Sequence, residues 1–136
     1  MDFIKFSLSG FDAFLVYAGL AIAFIYIYMI LYLWLTPYNE LKLIKDGNVA
    51  AALSLSGSVL GFTFPLAAAI VHSVHPWDMM LWGLIAAGVQ LLVYIAVRYT
   101  LLNVTRRIPD GQVASGVVLA TISVSAGILN AACMTY

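Results

Sequence analysis

His72, His75 and Asp78 follow one another at intervals of three. On a continuous helix they would share a face, and two imidazoles with a carboxylate suit zinc or a proton relay. Pro76 falls inside the triplet, where its missing amide proton interrupts the helical ladder. The triplet is therefore a weak metal candidate, and neither a metal nor a cofactor is expected. Elsewhere the chain has no nucleophile spaced with a base, no phosphate loop and no paired catalytic carboxylates. The reading is of a protein that is not an enzyme.

Other polar residues lie inside apolar runs. Gln90 and Asn130 each need a hydrogen-bond partner in hydrocarbon, and an interhelical bond supplies one. Ser54, Ser56, Ser58, Ser123 and Ser125 can bond carbonyls of their own helix. A sharper reading has Ser54, Ser58, Gln90 and Asn130 lining a polar pathway. Arg98, about one turn from the end of its run, is expected to snorkel to the surface.

A third set is stated twice. IKDGNVAAAL begins at Ile44 and IPDGQVASGV at Ile108, 64 residues later. Asp46-Gly47-Asn48 and Asp110-Gly111-Gln112 are turn formers, because glycine tolerates positive φ and the acid bonds nearby backbone. Asn48 or Asp110 then caps the helix that restarts. The alternative is that Asp46 and Asp110 together form a cation-attracting mouth.

The elements that position these residues follow from composition. Of 136 residues, 64% are apolar and 9% charged, and mean hydropathy is +1.03. A soluble domain carries about 25% charged residues. The runs from Phe11 to Leu35, Val49 to Val71, Met79 to Leu102 and Val113 to Tyr136 are nearly free of charge. Each reaches the roughly 20 residues that cross a bilayer, and none alternates as a barrel strand does. The expected fold is an all-α, polytopic membrane protein with four transmembrane helices. The first run is too long for the core of a signal peptide. Cys133 is the single cysteine, so no intrachain disulfide forms, and a net charge of zero without a basic run gives no sign of nucleic-acid binding.

The 64-residue offset extends beyond the phrases. Gly19, Leu20 and Ala23 match Gly83, Leu84 and Ala87; Thr36 and Asn39 match Thr100 and Asn103; Ala67 and Ala68 match Ala131 and Ala132. One membrane domain, 1–136, thus reads as a duplicated two-helix unit, with repeats at about 11–73 and 77–136. Two-helix units re-enter the membrane in the same orientation, so the repeats are parallel. Lys42, Lys45, Arg98, Arg106 and Arg107 stand at one end against Lys5 at the other. The positive-inside rule places that end in the cytoplasm and both termini in the periplasm.

Small residues mark the expected packing faces. Gly57 and Gly61 have Thr121 and Ser125 as repeat equivalents, and Gly19 and Ala23 have Gly83 and Ala87. The second and fourth helices should pack closely. The first, with Phe14, Tyr26, Tyr28 and Tyr32, should face lipid or a second copy, and the second should kink near Pro65.

The stretch TPYNELKLIKDGNVAAALSLSGSVLGFTFPLAAAI and the ending GILNAACM resemble the YjfL-like family of small bacterial inner-membrane proteins, domain of unknown function 350. Thr36-Pro37, Glu40, Asn48, Gly57, Gly61 and Pro65 carry the resemblance. It implies a Gram-negative inner membrane and an envelope-stress setting with a cytoplasmic PspA-type partner. It supplies no catalytic or binding residue. The expectation is a self-associating membrane anchor or sensor; the alternative is an oligomeric channel or small-solute transporter.

Overall fold

In hydrocarbon a backbone has no partner but itself, so each continuous apolar run must close its own hydrogen bonds as a helix. The computed structural model describes residues 2–134, and every regular element in it is helical. In order these are α1 (Asp2–Leu8), α2 (Phe11–Leu35), α3 (Glu40–Lys45), α4 (Val49–His72), α5 (Pro76–Thr100), α6 (Leu102–Arg106) and α7 (Val113–Cys133). Among the described residues, four stretches are long and apolar enough to cross a membrane: Asp2–Leu35, Val49–His72, Pro76–Thr100 and Val113–Cys133. The short helices α3 and α6 and both Asp-Gly turns lie at one end, here the basic end, with five of the six Lys and Arg residues.

Local chemistry sets the boundaries there. Thr36 turns extended ahead of Pro37, as the residue before a proline does. Its amide and hydroxyl both donate to Tyr32 O, at 3.1 and 2.8 Å. Asn39 caps α3 by accepting from Lys42 N at 3.2 Å. Gly47 and Gly111 take φ of 88° and 79°, the left-handed backbone that the turns require.

The helices that restart after the twin turns begin differently. Asn48 Oδ1 accepts from Ala51 N at 3.0 Å, whereas Gln112 makes no capping bond. The Asn48 amide then reaches the other turn, donating to Ile108 O at 2.9 Å and Pro109 O at 3.3 Å. Asp46 and Asp110 are exposed. The cap is thus Asn48, and the same side chain ties one turn to the other. Asn48→Ala is expected to cost about 2 kcal/mol, the sum of a lost cap and a lost bridge. Asn48→Asp keeps the acceptor and loses the donor, so thermal unfolding in detergent should place it between wild type and alanine.

The main packing seam joins α4 to α7. A Cβ on Gly57 would strike Ala120, one on Gly61 would strike Ser123 O, and one on Gly127 would strike the Gly61 carbonyl. At Gly116 it would stand 2.6 Å from Ala50 O. Backbones approach this closely only where side chains are missing. The pairs Ala50/Gly116, Gly57/Ala120 and Gly61/Gly127 advance together along both helices, so α4 and α7 run parallel.

Several expected packing positions are displaced. Thr121 and Ser125 face outward, and Thr121 spends its hydroxyl on Val117 O at 2.8 Å. The nearest seam contacts fall on both sides of the 64-residue offset: Ala50 with Gly116 and Gly61 with Gly127 beyond it, Gly57 with Ala120 and Gly61 with Ser123 short of it. Gly83 and Ala87 are buried, and a Cβ on Gly83 would lie 2.9 Å from Phe24 Cζ. Gly19 and Ala23 are exposed, and a Cβ on Gly19 would touch nothing. The first span approaches its neighbours through rings instead. Phe24, Tyr28 and Tyr32 are its buried residues, so Tyr28 and Tyr32 point into the bundle while Phe14 and Tyr26 point out. Pro65 sits buried within α4, which continues through it to His72.

Candidate functional site

Tyr28, Tyr32 and Thr36 recur every four residues and so share one face of the first span. Ser54 and Ser58 share a face of α4, which runs the opposite way. The two faces meet as rungs. Tyr28 Oη and Ser58 Oγ lie 2.5 Å apart, and Tyr32 Oη and Ser54 Oγ 2.8 Å apart. The Tyr28 ring stacks on Phe62 at 4.5 Å and 12°, and Tyr32 leans on Tyr94 of α5 at 4.8 Å and 55°. Tyr94 Oη completes the row, 3.1 Å from Thr36 Oγ1.

Glu40 closes this row at the basic end. The turn at Thr36-Pro37 brings the chain back, and Glu40, first residue of α3, folds in beneath Tyr32. Its side chain is 1% exposed. Tyr32 Oη donates to Oε1 at 3.3 Å, and Oε2 has no hydrogen-bond partner. A buried carboxylate that lacks a counter-charge is costly, so such a group takes up a proton instead. Burial pushes the Glu40 carboxyl up to about 7, against the pull of the Tyr32 hydroxyl. No basic side chain enters that balance. Nearby Tyr38 is also pushed well up, by burial and then by Glu40 and Tyr94, with Arg98 opposing. The arrangement can hold and release a proton near neutrality.

The sequence-derived candidates fall into separate places. Ser54 and Ser58 belong to the rungs. Gln90 is 1% exposed and donates from Nε2 to Ser123 O at 2.9 Å, leaving Oε1 without a partner. Asn130 is half-buried, and its Nδ2 has no partner. Gln90 thus bridges α5 to α7, while its own Oε1 and Asn130 Nδ2 bond neither helix. At the far end, His75 Nδ1 caps α5 by accepting from Trp77 N at 3.2 Å, and Asp78 accepts from Val74 N at 3.3 Å. Of the weak metal candidate His72, His75 and Asp78, two are thus engaged in starting a helix. Among the described residues no three His, Cys, Asp or Glu side chains gather to hold a metal.

Spacing alone does not single out Glu40, Tyr32 and Tyr94, yet the sequence marks the cage. At the 64-residue offset Tyr28, Tyr32, Glu40, Ser54 and Ser58 stand opposite Leu92, Ala96, Val104, Val118 and Ile122. Each of these five polar members has an apolar residue 64 positions on, so the site lies where the two halves of the sequence differ rather than where they agree.

Beside the cage, a hollow of about 350 Å³ opens at the basic end between Tyr38, Arg98, Leu102, Arg106 and Pro109. Arg98 Nη1 donates to Leu35 O at 2.8 Å, so this half-buried side chain closes the end of α2 rather than only snorkelling.

Comparison with known proteins gives one family and close relatives. The family described as Domain of Unknown Function (DUF350) matches residues 6–134. The UPF0719 inner membrane protein YjfL of Escherichia coli K12 is 39% identical over 124 residues, covering 91% of this chain and 94% of the relative. The protein of the same description from Escherichia coli O157:H7 gives the same figures. No solved structure matches.

Proposed function

The chain belongs to the DUF350 family, and from that premise we propose a non-enzymatic inner-membrane protein that self-associates as an anchor or sensor in envelope homeostasis. The observation that carries the reading is the dry burial of the polar side chains: Ser54, Ser58 and Gln90 are at most 3% exposed. A conduit needs such groups on a wet wall; here they fasten helices. What is left for contact is the outer face of the first span, where Phe14, Tyr26, Ile30 and Trp34 are each more than half exposed, and the basic end.

In this reading the basic end is cytoplasmic, with both termini periplasmic, as the excess of Lys and Arg supports. It would present Lys42, Lys45, Arg106 and Arg107 to a PspA-type partner. Extraction into native lipid particles is expected to yield an oligomer or a complex. A lone monomer that brings down no protein would sink the proposal.

A second reading, an oligomeric channel or small-solute transporter, is favoured by one observation, the buried carboxyl of Glu40 with its unpartnered oxygen. Reconstituted liposomes decide it. Proton or solute flux that Glu40→Gln abolishes would establish transport, and silence across a broad panel would remove it.

A further inference from the structure

We infer that the hollow at the basic end is a binding site for the phosphate of an anionic phospholipid headgroup. Two guanidiniums, Arg98 and Arg106, line it, and among the described residues no carboxylate does. Arginine suits this ligand, since its planar fork matches phosphate oxygens two at a time. Arg98 is held in place by its bond to Leu35 O, which uses one donor and leaves the others on its guanidinium for a ligand. Tyr38 also lines the wall.

Position and shape agree. The hollow is lined by Pro37, just beyond the end of α2, by Arg98 in the last turn of α5, and by α6 and the segment after it up to Pro109. Lipid phosphates sit near such ends of membrane-spanning helices. Its volume of about 350 Å³ takes a glycerophosphate headgroup, and Pro37, Leu102 and Pro109 supply an apolar wall for glycerol and the first methylenes. Thr105, also on the wall, spends its hydroxyl on Leu101 O at 3.1 Å, so the polar chemistry left is cationic. The site is independent of whether the protein self-associates.

The test titrates the whole chain in neutral detergent with dioctanoyl phosphatidylglycerol, dioctanoyl phosphatidylcholine, glycerol 3-phosphate and inorganic phosphate, read by native mass spectrometry. Phosphatidylglycerol should bind at least about fivefold tighter than phosphatidylcholine, in line with the usual contribution of one basic residue near anionic lipid. Arg106→Gln should weaken it by about fivefold, while Arg107→Gln, exposed and outside the hollow, should leave it unchanged. Arg106 is itself exposed, so its replacement leaves no buried group stranded. Arg98→Lys serves as a second variant that keeps charge and loses the fork. If the two free phosphates bind as tightly as the lipid and share its sensitivity to Arg106→Gln, the phosphate site stands and its source is soluble. Equal losses in Arg106→Gln and Arg107→Gln, or no preference for phosphatidylglycerol, would overturn the inference.

Discussion

Glu40→Gln should make the protein more stable above neutral pH, by up to about 3 kcal/mol, and leave it little changed at about pH 4.5. The carboxyl binds its proton with a pKa of about 7 in the folded protein and 4.5 when unperturbed. Between those values the folded state holds more protons than the unfolded one, so stability falls as pH rises. It is fully present below the unfolded pKa and lost through about 7. The glutamine does not ionise, so its variant should follow a flatter line. Thermal unfolding in detergent from about pH 5 to about pH 9 measures the two slopes. Parallel curves would show that Glu40 does not titrate in its cage.

The second large effect belongs to the α4–α7 seam. Gly61→Leu or Gly127→Leu should separate the two helices, because each new Cβ would strike backbone, which cannot rotate away. Overpacked cores lose about 1–3 kcal/mol where side chains can adjust. Here the obstacle is the facing carbonyl, so the loss should lie at or beyond the upper end. Gly19→Leu, whose added atoms enter open space, should be nearly silent. Cysteine pairs beside the seam, such as Ser56 with Thr121, which line one hollow between the two helices, would report the separation directly, by failing to cross-link in the seam variants. Unchanged cross-linking in Gly127→Leu would mean that the parallel seam is not the one present in the membrane.

The two predictions differ in how far the sequence announced them. The four spans follow from hydropathy, because length and apolarity are enough to commit a segment to a helix in lipid. Gly57 and Gly61 were legible because small residues have few other reasons to recur four apart. Their partners were not. Repeat symmetry pointed to Thr121 and Ser125, whereas the seam meets Ala120, Ser123 and Gly127, on either side of the 64-residue offset. That pairing depends on how two surfaces interlock, and no single helix encodes it.

The carboxyl cage was hidden for another reason. Glu40 stands in a polar connection beside Asn39 and Lys42, where an acid is expected to be solvated. It is covered by Tyr32, whose hydroxyl also meets Ser54 on the next span and whose ring leans on Tyr94 of the third. Likewise the aromatic first span reads as a lipid-facing helix on hydropathy alone. The serines opposite Tyr28 and Tyr32, together with Phe62 and Tyr94 against their rings, give those two side chains a reason to turn inward.

The α4–α7 seam also has a consequence in time. Spans enter the membrane in the order in which they are made, and α7 is the last of the four. Until it arrives, Gly57 and Gly61 have no backbone to meet, and Gln90 has no Ser123 carbonyl to bond. The Asn48 link to Ile108 and Pro109 cannot form before the second turn emerges. The tightest contacts of the bundle therefore depend on the last of its four spans to be made, which latches the other three.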